Sequence, residues 1–335
     1  MDAEGVALWS EDEAVLGRVR AIVKDSSSRD GALVVTSQRW LEALETMIAV
    51  ADPNDLRMLR AAAVLADGSF NAWRACGVHA FQLRCRTPWL PPLVNRGGFR
   101  PYFQPIVNVD TGGILGYESL VRAEVDGRLM NGGEIIDAAR AHNALFQLDE
   151  QARVDAVRIG MPKLIEREHL FVNFLPMTVR NPSVCLASVW DAAKSVNADL
   201  TRLVFEVVES EAFPDLKHLR AILDEFRQRG SKVALDDLGT GNSALTYIDE
   251  LAPDYIKLAK GLIPEQPRQD DLLLVRGLVD HAHLRGIRVI AEGIETERQF
   301  HAVQSLDIDY IQGWLVGKPE AEPRRDLGME RLRAA

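Results

Sequence analysis

Two adjacent carboxylates, Asp236 and Asp237, are the first residues in this sequence that could carry chemistry. They end a short apolar run, residues 233–235, and Gly239 and Gly241 follow, which allow a sharp turn of the backbone. Neighbouring carboxylates repel each other, so burying both is costly without a cation, and a divalent metal ion is the simplest partner. A solvated Asp-Asp turn is the alternative, and the rest of the chain decides between the two.

Further polar side chains stand at or near the ends of other short apolar runs. They are Glu118, Asn173, Glu206, Lys257, Glu292 with Glu295, and Gln312. Each one alone could be a helix cap, a strand-end salt bridge or a solvated turn. Their separations are those of β-α units, however, and the carboxyl ends of barrel strands meet at one mouth. We therefore expect these residues to share one pocket.

The donor types in this set indicate which chemistry the pocket could perform. Carboxylates and one amide, without His or Cys, favour Mg²⁺ or Mn²⁺ over zinc. Two such ions about 4 Å apart would polarise a phosphoryl group and activate a water molecule for in-line attack. Lys257 is the cation of the set and would hold that water or a phosphate oxygen, with a strand-end salt bridge as the alternative.

The elements that must position these residues follow from the pattern after Phe99, where short apolar runs alternate with amphipathic stretches. The predicted strands are Tyr102–Val107, Ile114–Val121, Leu170–Leu175, Arg202–Val208, Lys232–Leu235, Tyr255–Leu258, Arg288–Ala291 and Tyr310–Val316. This alternation is typical of an α/β fold, a (β/α)8 TIM-like barrel. Residues 105–113 indicate a tight hairpin, so we expect the first strand pair to be antiparallel.

The sequence before the barrel predicts a small, mainly helical N-terminal domain, residues 1–95, with a regulatory or dimerisation role. Its predicted helices are Glu11–Lys24, Gln38–Ala51 and Leu56–Leu65, and a proline-rich linker follows at residues 88–98. The barrel domain is expected at residues 99–322. Residues 323–335 form a charged tail, and we expect a solvated helix over residues 320–333.

Composition limits the classes of function. The 335 residues are 47% hydrophobic, which suffices for a full core, and the net charge of −10 argues against DNA binding. The 3 cysteines are neither paired nor spaced as in a metal site. The start of the chain does not have the pattern of a secretory signal, and no apolar run approaches the roughly 20 residues of a membrane span, so the predicted location is cytoplasmic, away from membranes.

Seven motifs in the second domain carry a family resemblance. In chain order they are Glu118–Arg122 (ESLVR), Val172–Pro176 (VNFLP), Phe205–Glu209 (FEVVE), Asp236–Gly241 (DDLGTG), Ile256–Leu258 (IKL), Ala291–Glu295 (AEGIE) and Ile311–Pro319 (IQGWLVGKP). Their order and spacing resemble those of the EAL-domain cyclic di-GMP phosphodiesterases. Ser119 stands where that family has its eponymous alanine. The resemblance covers about residues 99–322.

The resemblance implies an enzyme that hydrolyses one phosphodiester bond of cyclic di-GMP to give linear pGpG, in a bacterial signalling pathway. It also implies two Mg²⁺ or Mn²⁺ ions as cofactors and a homodimer formed through the barrel, while a regulatory partner is expected for the N-terminal domain. By matching positions, the resemblance implies that the metal ligands are Glu118, Asn173, Glu206, Asp236 and Asp237, and that the catalytic residues are Glu292 and Lys257. It implies contacts to the substrate or its pocket for Gln104, Arg122, Glu295 and Gln312. Glu209 is expected to support the loop after Asp237.

Three positions depart from the family pattern and leave the rate of turnover open. Leu238 replaces a phenylalanine, Asn242 a tyrosine and Ala259 an aspartate. The alternative function is therefore an inactive or weak EAL domain that binds cyclic di-GMP as an effector or acts through protein contacts. A different metal-dependent barrel hydrolase is a third interpretation, but it ignores the ordered motifs.

Overall fold

A computed structural model describes residues 3–208, 215–239, 244–268 and 270–327 of the chain. The chain divides into two units. The first comprises Met1–Gly97 with Gly133–Leu145, and the second comprises Gly98–Gly132 with Phe146–Ala335. Among the described residues, no helix combines the length and the apolar character needed to cross a membrane.

The first unit contains an antiparallel sheet with strand order β2-β3-β1-β4-β5. Its strands are β1 (Gly5–Trp9), β2 (Ser27–Arg29), β3 (Ala32–Val35), β4 (Arg60–Val64) and β5 (Cys76–Gly77), and its helices before residue 97 are α1 (Glu13–Ile22), α2 (Trp40–Val50), α3 (Pro53–Met58), α4 (Val78–Arg86) and α5 (Leu90–Arg96). Val6 and Leu8 of β1 pack with the helices, while Ala7 between them lies in a small cluster with strand residues. The period-2 alternation of β1 thus builds the core.

The helices of this unit were predicted better than its sheet. α1 and α2 confirm two of the predicted helices, but the sheet was not predicted. The helix predicted for Leu56–Leu65 is wrong, because α3 ends at Met58 and β4 begins at Arg60. The alanines of β4 favour a helix in isolation, and pairing with β1 overrides that preference. The predicted linker contains α5, since prolines in a first helical turn cost no hydrogen bond.

The second unit is built on a closed barrel of eight strands, because β6 pairs with β7 as well as with β14. The strands are β6 (Phe99–Asn108), β7 (Ile114–Val125), β8 (Arg128–Met130), β9 (His169–Asn173), β10 (Leu203–Val208), β11 (Lys232–Leu238), β12 (Tyr255–Leu258), β13 (Arg288–Ala291) and β14 (Tyr310–Gln312), of which β8 extends the edge of β7 outside the barrel. The helices between them are α6 (Gly132–Ala141), most of which belongs to the first unit, α7 (Leu145–Asp155), α8 (Pro182–Cys185), α9 (Ala187–Ser195), α10 (Leu216–Gln228), α11 (Ala244–Leu251), α12 (Leu273–His283) and α13 (Glu297–Ser305).

The strand directions confirm the predicted fold. β6 and β7 form the expected antiparallel hairpin, and β6 is also antiparallel to β14. The pairs from β7 through β9 to β14 are parallel. The structure is therefore a TIM-like barrel with one reversed strand, as the sequence predicted.

The C-terminal segment, residues 320–327, covers the part of the barrel that has no crossover helix. Phe103 of β6 exchanges two backbone hydrogen bonds with Glu320, of 2.7 and 3.2 Å, and the Tyr117 hydroxyl of β7 donates to the Arg324 carbonyl over 3.0 Å. The solvated helix expected here is wrong for residues 320–327, because they bond to the barrel and not to each other along a helix. Residues 328–335 lie outside the described part.

An apolar layer fills the barrel beneath its mouth. It consists of Ile106, Phe171, Val204, Ala234, Tyr255 and Ile290, all 5% exposed or less. Two positions towards the mouth, on the same strands or directly after them, stand Gln104, Asn173, Glu206, Asp236, Lys257 and Glu292. Alternation of side chains places each pair on the same inner face of its strand. The apolar layer therefore forms a low-dielectric floor under the polar residues.

A buried ion pair outside the barrel anchors the loop that follows β9. Asp149 and Arg153 of α7 bond to each other, and their side chains are 5% and 1% exposed. Asp149 also accepts hydrogen bonds from the Leu175 backbone N–H, over 2.9 Å, and from the Thr178 hydroxyl. Helix α7 thus fixes the loop that begins directly after Asn173.

We predict that Asp149→Ala lowers the free energy of unfolding by about 3 to 5 kcal/mol, because it leaves the Arg153 charge buried without its partner. Urea unfolding followed by circular dichroism measures the change. The exposed Asp191 of α9 provides a matched control, and Asp191→Ala should change the value by no more than about 0.5 kcal/mol. Equal effects of the two substitutions would contradict the anchoring role.

Candidate active site

Lys257 lies at the centre of the barrel mouth, fully buried among four carboxylates. Its Nζ is 2.8 Å from Glu292 and 3.1 Å from both Glu206 and Asp236, and it is 3.3 Å from Glu118. These acids belong to β7, β10 and β11 and to the residue after β13, up to 174 positions apart in sequence. The predicted convergence of the strand ends therefore occurs around one ammonium group.

Glu118 is the most completely bonded acid of this group. Its Oε1 accepts a hydrogen bond from the Asn173 amide over 2.7 Å, and its Oε2 accepts one from Gln312 over 2.6 Å. The Gln312 amide also donates to Gln104, whose own amide donates to the Gly317 carbonyl. Burial alone would raise the pKa of Glu118, but Lys257, Gln312 and Asn173 outweigh it and hold that pKa below its ordinary value.

Glu206 is the least satisfied acid. Its side chain is fully buried, and within the described residues neither carboxylate oxygen has a hydrogen-bond partner. The 3.1 Å approach of Oε1 to Lys257 is an ion pair without hydrogen-bond geometry. Burial raises the pKa of Glu206 well above its usual value. The neighbouring acids raise that pKa further, while Lys257 lowers it without cancelling the increase. An ionised Glu206 therefore needs more positive charge than Lys257 supplies.

The pKa values of the two remaining acids, Asp236 and Glu292, are raised for the same reason. Burial raises the pKa of Asp236 and raises the pKa of Glu292 to about 8, while Lys257 opposes both shifts. The four acids together hold the pKa of Lys257 well above its ordinary value, although burial alone would lower it. The site thus combines a firmly charged ammonium with an excess of buried carboxyl groups.

A β-bulge sets the direction of Asp236 and Asp237. The register between β11 and β12 shifts between Leu235 and Leu238, so the two acids lie at the irregularity. Asp237 adopts a left-handed conformation with φ of 61°, which is uncommon for a residue other than glycine, and its backbone N–H donates to the Asp236 carboxylate over 3.0 Å. Bulges of this kind commonly redirect side chains at active sites.

Some of the predicted site residues lie outside the hydrogen-bonded cluster around Lys257. Arg122 donates to the Val121 carbonyl and lies over the Tyr102 ring, 5.8 Å from its centroid. Glu295 pairs with Lys260, whose side chain is 66% exposed. Glu209 lies outside the described residues, so its predicted role as a loop brace has no structural account.

Two of the three departures from the family pattern can be placed. Leu238 is fully buried in the barrel core, at the end of β11 and not in the loop where we expected it. Its carbonyl accepts a 3.2 Å hydrogen bond from the N–H of Ala259, which is also buried. Asn242 lies outside the described residues. Leu238 therefore packs in the apolar core of the barrel.

The donor set fits hard divalent cations, although the described residues contain no preformed group of three or more potential metal-ligating side chains. The reason is the position of Lys257, whose Nζ lies between the carboxylates. The oxygens of Glu206 without hydrogen-bond partners and the surplus of acids both call for further positive charge. Oxygen donors without His or Cys match Mg²⁺, Mn²⁺ or Ca²⁺.

Two buried polar residues hold the loops around this site and were not predicted from the sequence. Asp149 anchors the loop after β9, and Gln299 of α13 bonds to the loops after β12 and β13. For Gln299, the sequence does contain an indication, the Thr296-x-x-Gln299 spacing of a capping box. The structure forms this capping box at the start of α13.

Comparisons with known proteins agree with this geometry. The family model described as the EAL domain matches residues 89–319. The chain is 28% identical over 224 residues to the bifunctional diguanylate cyclase/cyclic di-GMP phosphodiesterase MucR of Pseudomonas aeruginosa, covering 65% of this chain and 32% of MucR. It is 26% identical over 230 residues to the cyclic di-GMP phosphodiesterase PdeL of Escherichia coli, covering 66% of this chain and 62% of PdeL.

Among solved structures, this chain is similar to the MucR phosphodiesterase in complex with c-di-GMP. It superposes with a TM-score of 0.62 at 27% identity and covers 69% of this chain and 95% of that one. The chain spans less than two thirds of the length of the curated relatives MucR and PdeL. The similarity therefore concerns the barrel and its mouth.

We predict that Glu206→Gln raises the free energy of unfolding of the metal-free protein by at least about 1 kcal/mol, because it removes a buried negative charge from a site with too many. Urea unfolding in the presence of a chelator at pH 8 measures the change. The exposed Glu166 provides the control, since Glu166→Gln should have an effect near zero. A loss of stability in Glu206→Gln would mean that its pairing with Lys257 outweighs the repulsion.

Proposed function

Because this chain belongs to the EAL domain family, we propose that it hydrolyses one phosphodiester bond of cyclic di-GMP to give linear pGpG. The observation that carries the proposal is the convergence of Glu118, Asn173, Glu206, Asp236 and Glu292 around Lys257 at the barrel mouth. Such a pocket suits phosphoryl transfer, which depends on positioning and charge stabilisation. Similarity to MucR and PdeL, named as cyclic di-GMP phosphodiesterases, supports the choice of substrate.

We infer that Glu118, Asn173, Glu206 and Asp236 hold one divalent cation and that Asp236 with Asp237 holds a second, as Mg²⁺ or Mn²⁺. The bound ions would supply Lewis-acid polarisation of the phosphoryl group and lower the pKa of the attacking water. Within the part of the chain that the structure describes, the oxygens of Glu206 have no hydrogen-bond partner, which supports its role as a ligand. The hydrogen bond from Asn173 to Glu118 supports a shared site for those two side chains.

Lys257 and Glu292 are our candidates for the catalytic residues. Their side chains are 2.8 Å apart, so both can contact one water molecule. The Lys257 ammonium would orient that water or a phosphoryl oxygen, and Glu292 would accept a proton from the water as it attacks. The new bond joins the water oxygen to phosphorus, the bond from phosphorus to the ribose O3′ breaks, and O3′ takes up a proton.

The outer residues of the mouth would recognise the substrate. Gln104 and Arg122 are the candidates for contacts to guanine and phosphate, and both lie near Glu118 on the β6–β7 hairpin. Gln312 would support Glu118 through its 2.6 Å hydrogen bond. Glu295, held by Lys260, would border the pocket, and Glu209 would brace the loop after Asp237.

We propose that the N-terminal domain, predicted at residues 1–95, regulates or dimerises the barrel domain, predicted at residues 99–322, and that residues 323–335 form its charged tail. The barrel forms a homodimer, and the protein works in the cytoplasm.

A second candidate function is a cyclic di-GMP effector that binds the nucleotide without turnover. The observation that favours it is the position of the Lys257 ammonium, within 3.3 Å of all four carboxylates, where a divalent cation has to compete with it. If Lys257 remains there, the nucleotide can still contact Gln104 and Arg122. Turnover decides between the two functions.

We predict that the purified chain converts cyclic di-GMP to pGpG in the presence of Mg²⁺ or Mn²⁺. Chromatography of the nucleotides measures the conversion. Glu118→Gln should lower kcat about a hundredfold or more, because it removes a metal-ligating charge, and a chelator should abolish conversion. Glu124→Gln, at an exposed position of the same strand β7, is the matched control and should keep full activity. Nucleotide binding without conversion in the unaltered chain would favour the effector function.

We also predict that Mg²⁺ stabilises the protein through Glu206. At a cation concentration about 100 times the Kd, one site raises the free energy of unfolding by about 2.7 kcal/mol. Thermal unfolding with and without Mg²⁺ should show this increase in the unaltered chain and in Glu166→Gln, and a smaller increase in Glu206→Gln, which keeps the second proposed site at Asp236 and Asp237. An equal increase in all three proteins would remove Glu206 from the set of ligands.

A further inference from the structure

Three contacts join the end of β12 and the loop that follows it to the loop that follows β13. The Glu292 backbone N–H donates to the Leu258 carbonyl over 3.1 Å. On the exposed side, Lys260 bonds to Glu295. On the buried side, the Gln299 amide donates to the Ile263 carbonyl over 2.8 Å. Lys257 stands in β12, one position before its last residue, and Glu292 is the first residue after β13. These contacts therefore hold the loop that begins at Glu292 against the strand that carries Lys257.

Gln299 makes most of the polar contacts on the buried side. Its side chain is 3% exposed, and its Oε1 accepts hydrogen bonds from the backbone N–H groups of Glu295 and Thr296, over 2.9 and 3.1 Å, and from the Thr296 hydroxyl. Its Nε2 donates to Ile263 and, over 3.4 Å, to the Gly293 carbonyl. One side chain thus bonds to both loops.

The loop after β13 has little room to move without breaking these contacts. Gly293 has φ of 65°, and a Cβ atom there would lie 2.2 Å from Cγ of Lys260, so the Lys260 side chain crosses directly over it. The exposed pair of Lys260 with Glu295 contributes little by itself, because solvent screens it. Hydrogen bonds between buried groups cost more to lose, so Gln299 is the stronger connection.

We propose that Gln299 is a positioning residue, which fixes Glu292 relative to Lys257 by joining the loop that begins at Glu292 to the loop that follows the strand of Lys257. The inference rests on the proposed function for its effect on catalysis, but the joining of the loops is independent of that function. A capping box alone would explain the bonds of Gln299 to Thr296. It does not explain the bond to Ile263, which lies 36 positions away on another loop.

Two substitutions separate these roles. Gln299→Glu keeps the acceptor oxygens that bond Glu295 and Thr296 and loses the Nε2 donor that reaches Ile263. Gln299→Met has a similar length and loses every polar contact. Gln304→Met, at an exposed position of the same helix α13, is the matched control. Should Gln299→Met fail to fold, Gln299→Glu carries the test.

Amide hydrogen exchange tests the proposal without any need for turnover. The Glu292 N–H does not bond to Gln299, so its exchange reports whether the loops separate. We expect it to exchange at least about tenfold faster in both Gln299 variants and unchanged in Gln304→Met. In Gln299→Glu, the Glu295 and Thr296 amides should stay protected. Unchanged exchange of Glu292 in Gln299→Glu would overturn the proposal and leave Gln299 as a helix cap.

Kinetics test the consequence for the reaction. We expect kcat to fall about 10- to 100-fold in both variants, with KM for cyclic di-GMP changed less than about threefold, because a displacement near 1 Å costs rate more than binding. A purely local cap would leave kcat unchanged in Gln299→Glu, and that result would also overturn the positioning role. If the unaltered chain shows no turnover, the proposed function fails, and the exchange experiment still decides the role of Gln299.

Discussion

The position of Lys257 among four carboxylates is the constraint on which the rest of the second unit depends. Carboxylates from separate strands repel one another, and the barrel brings them together over an apolar floor where that repulsion is strong. One ammonium offsets only part of this charge, as the Glu206 carboxylate indicates, which has no hydrogen-bond partner among the described residues. The cost of assembling the site has to be met by packing elsewhere, which is a common property of functional sites.

Much of the barrel was predictable from the sequence because most of its strands are short apolar runs with a polar residue at or near the end. The antiparallel start was predictable as well, since residues 105–113 are too few for a crossover helix. The grouping of Glu118, Asn173, Glu206, Asp236, Lys257, Glu292 and Gln312 followed from strand-end spacing. The roles of these residues came from the family resemblance, and no spacing argument could supply them.

The rest depended on contacts between distant parts of the chain, which local patterns do not encode. The alanines of β4 favour a helix, and only pairing with β1 makes them a strand. The left-handed conformation of Asp237 and the bulge at Asp236 arise from the register with β12. Asp149 and Gln299 stand on helices, where a buried polar residue resembles a surface one until the neighbouring loops are placed.

The segment 320–327 has a consequence for how the edges of this domain are defined. The match to the EAL domain ends at residue 319, one position before the backbone of Glu320 bonds to Phe103. A fragment cut at the end of the match would lose both backbone hydrogen bonds of Phe103 and the acceptor of the Tyr117 hydroxyl. It would also leave the part of β6 before Ile106, which β14 does not reach, open to pairing with other chains. The region that is similar in sequence is thus shorter than the region that completes the barrel.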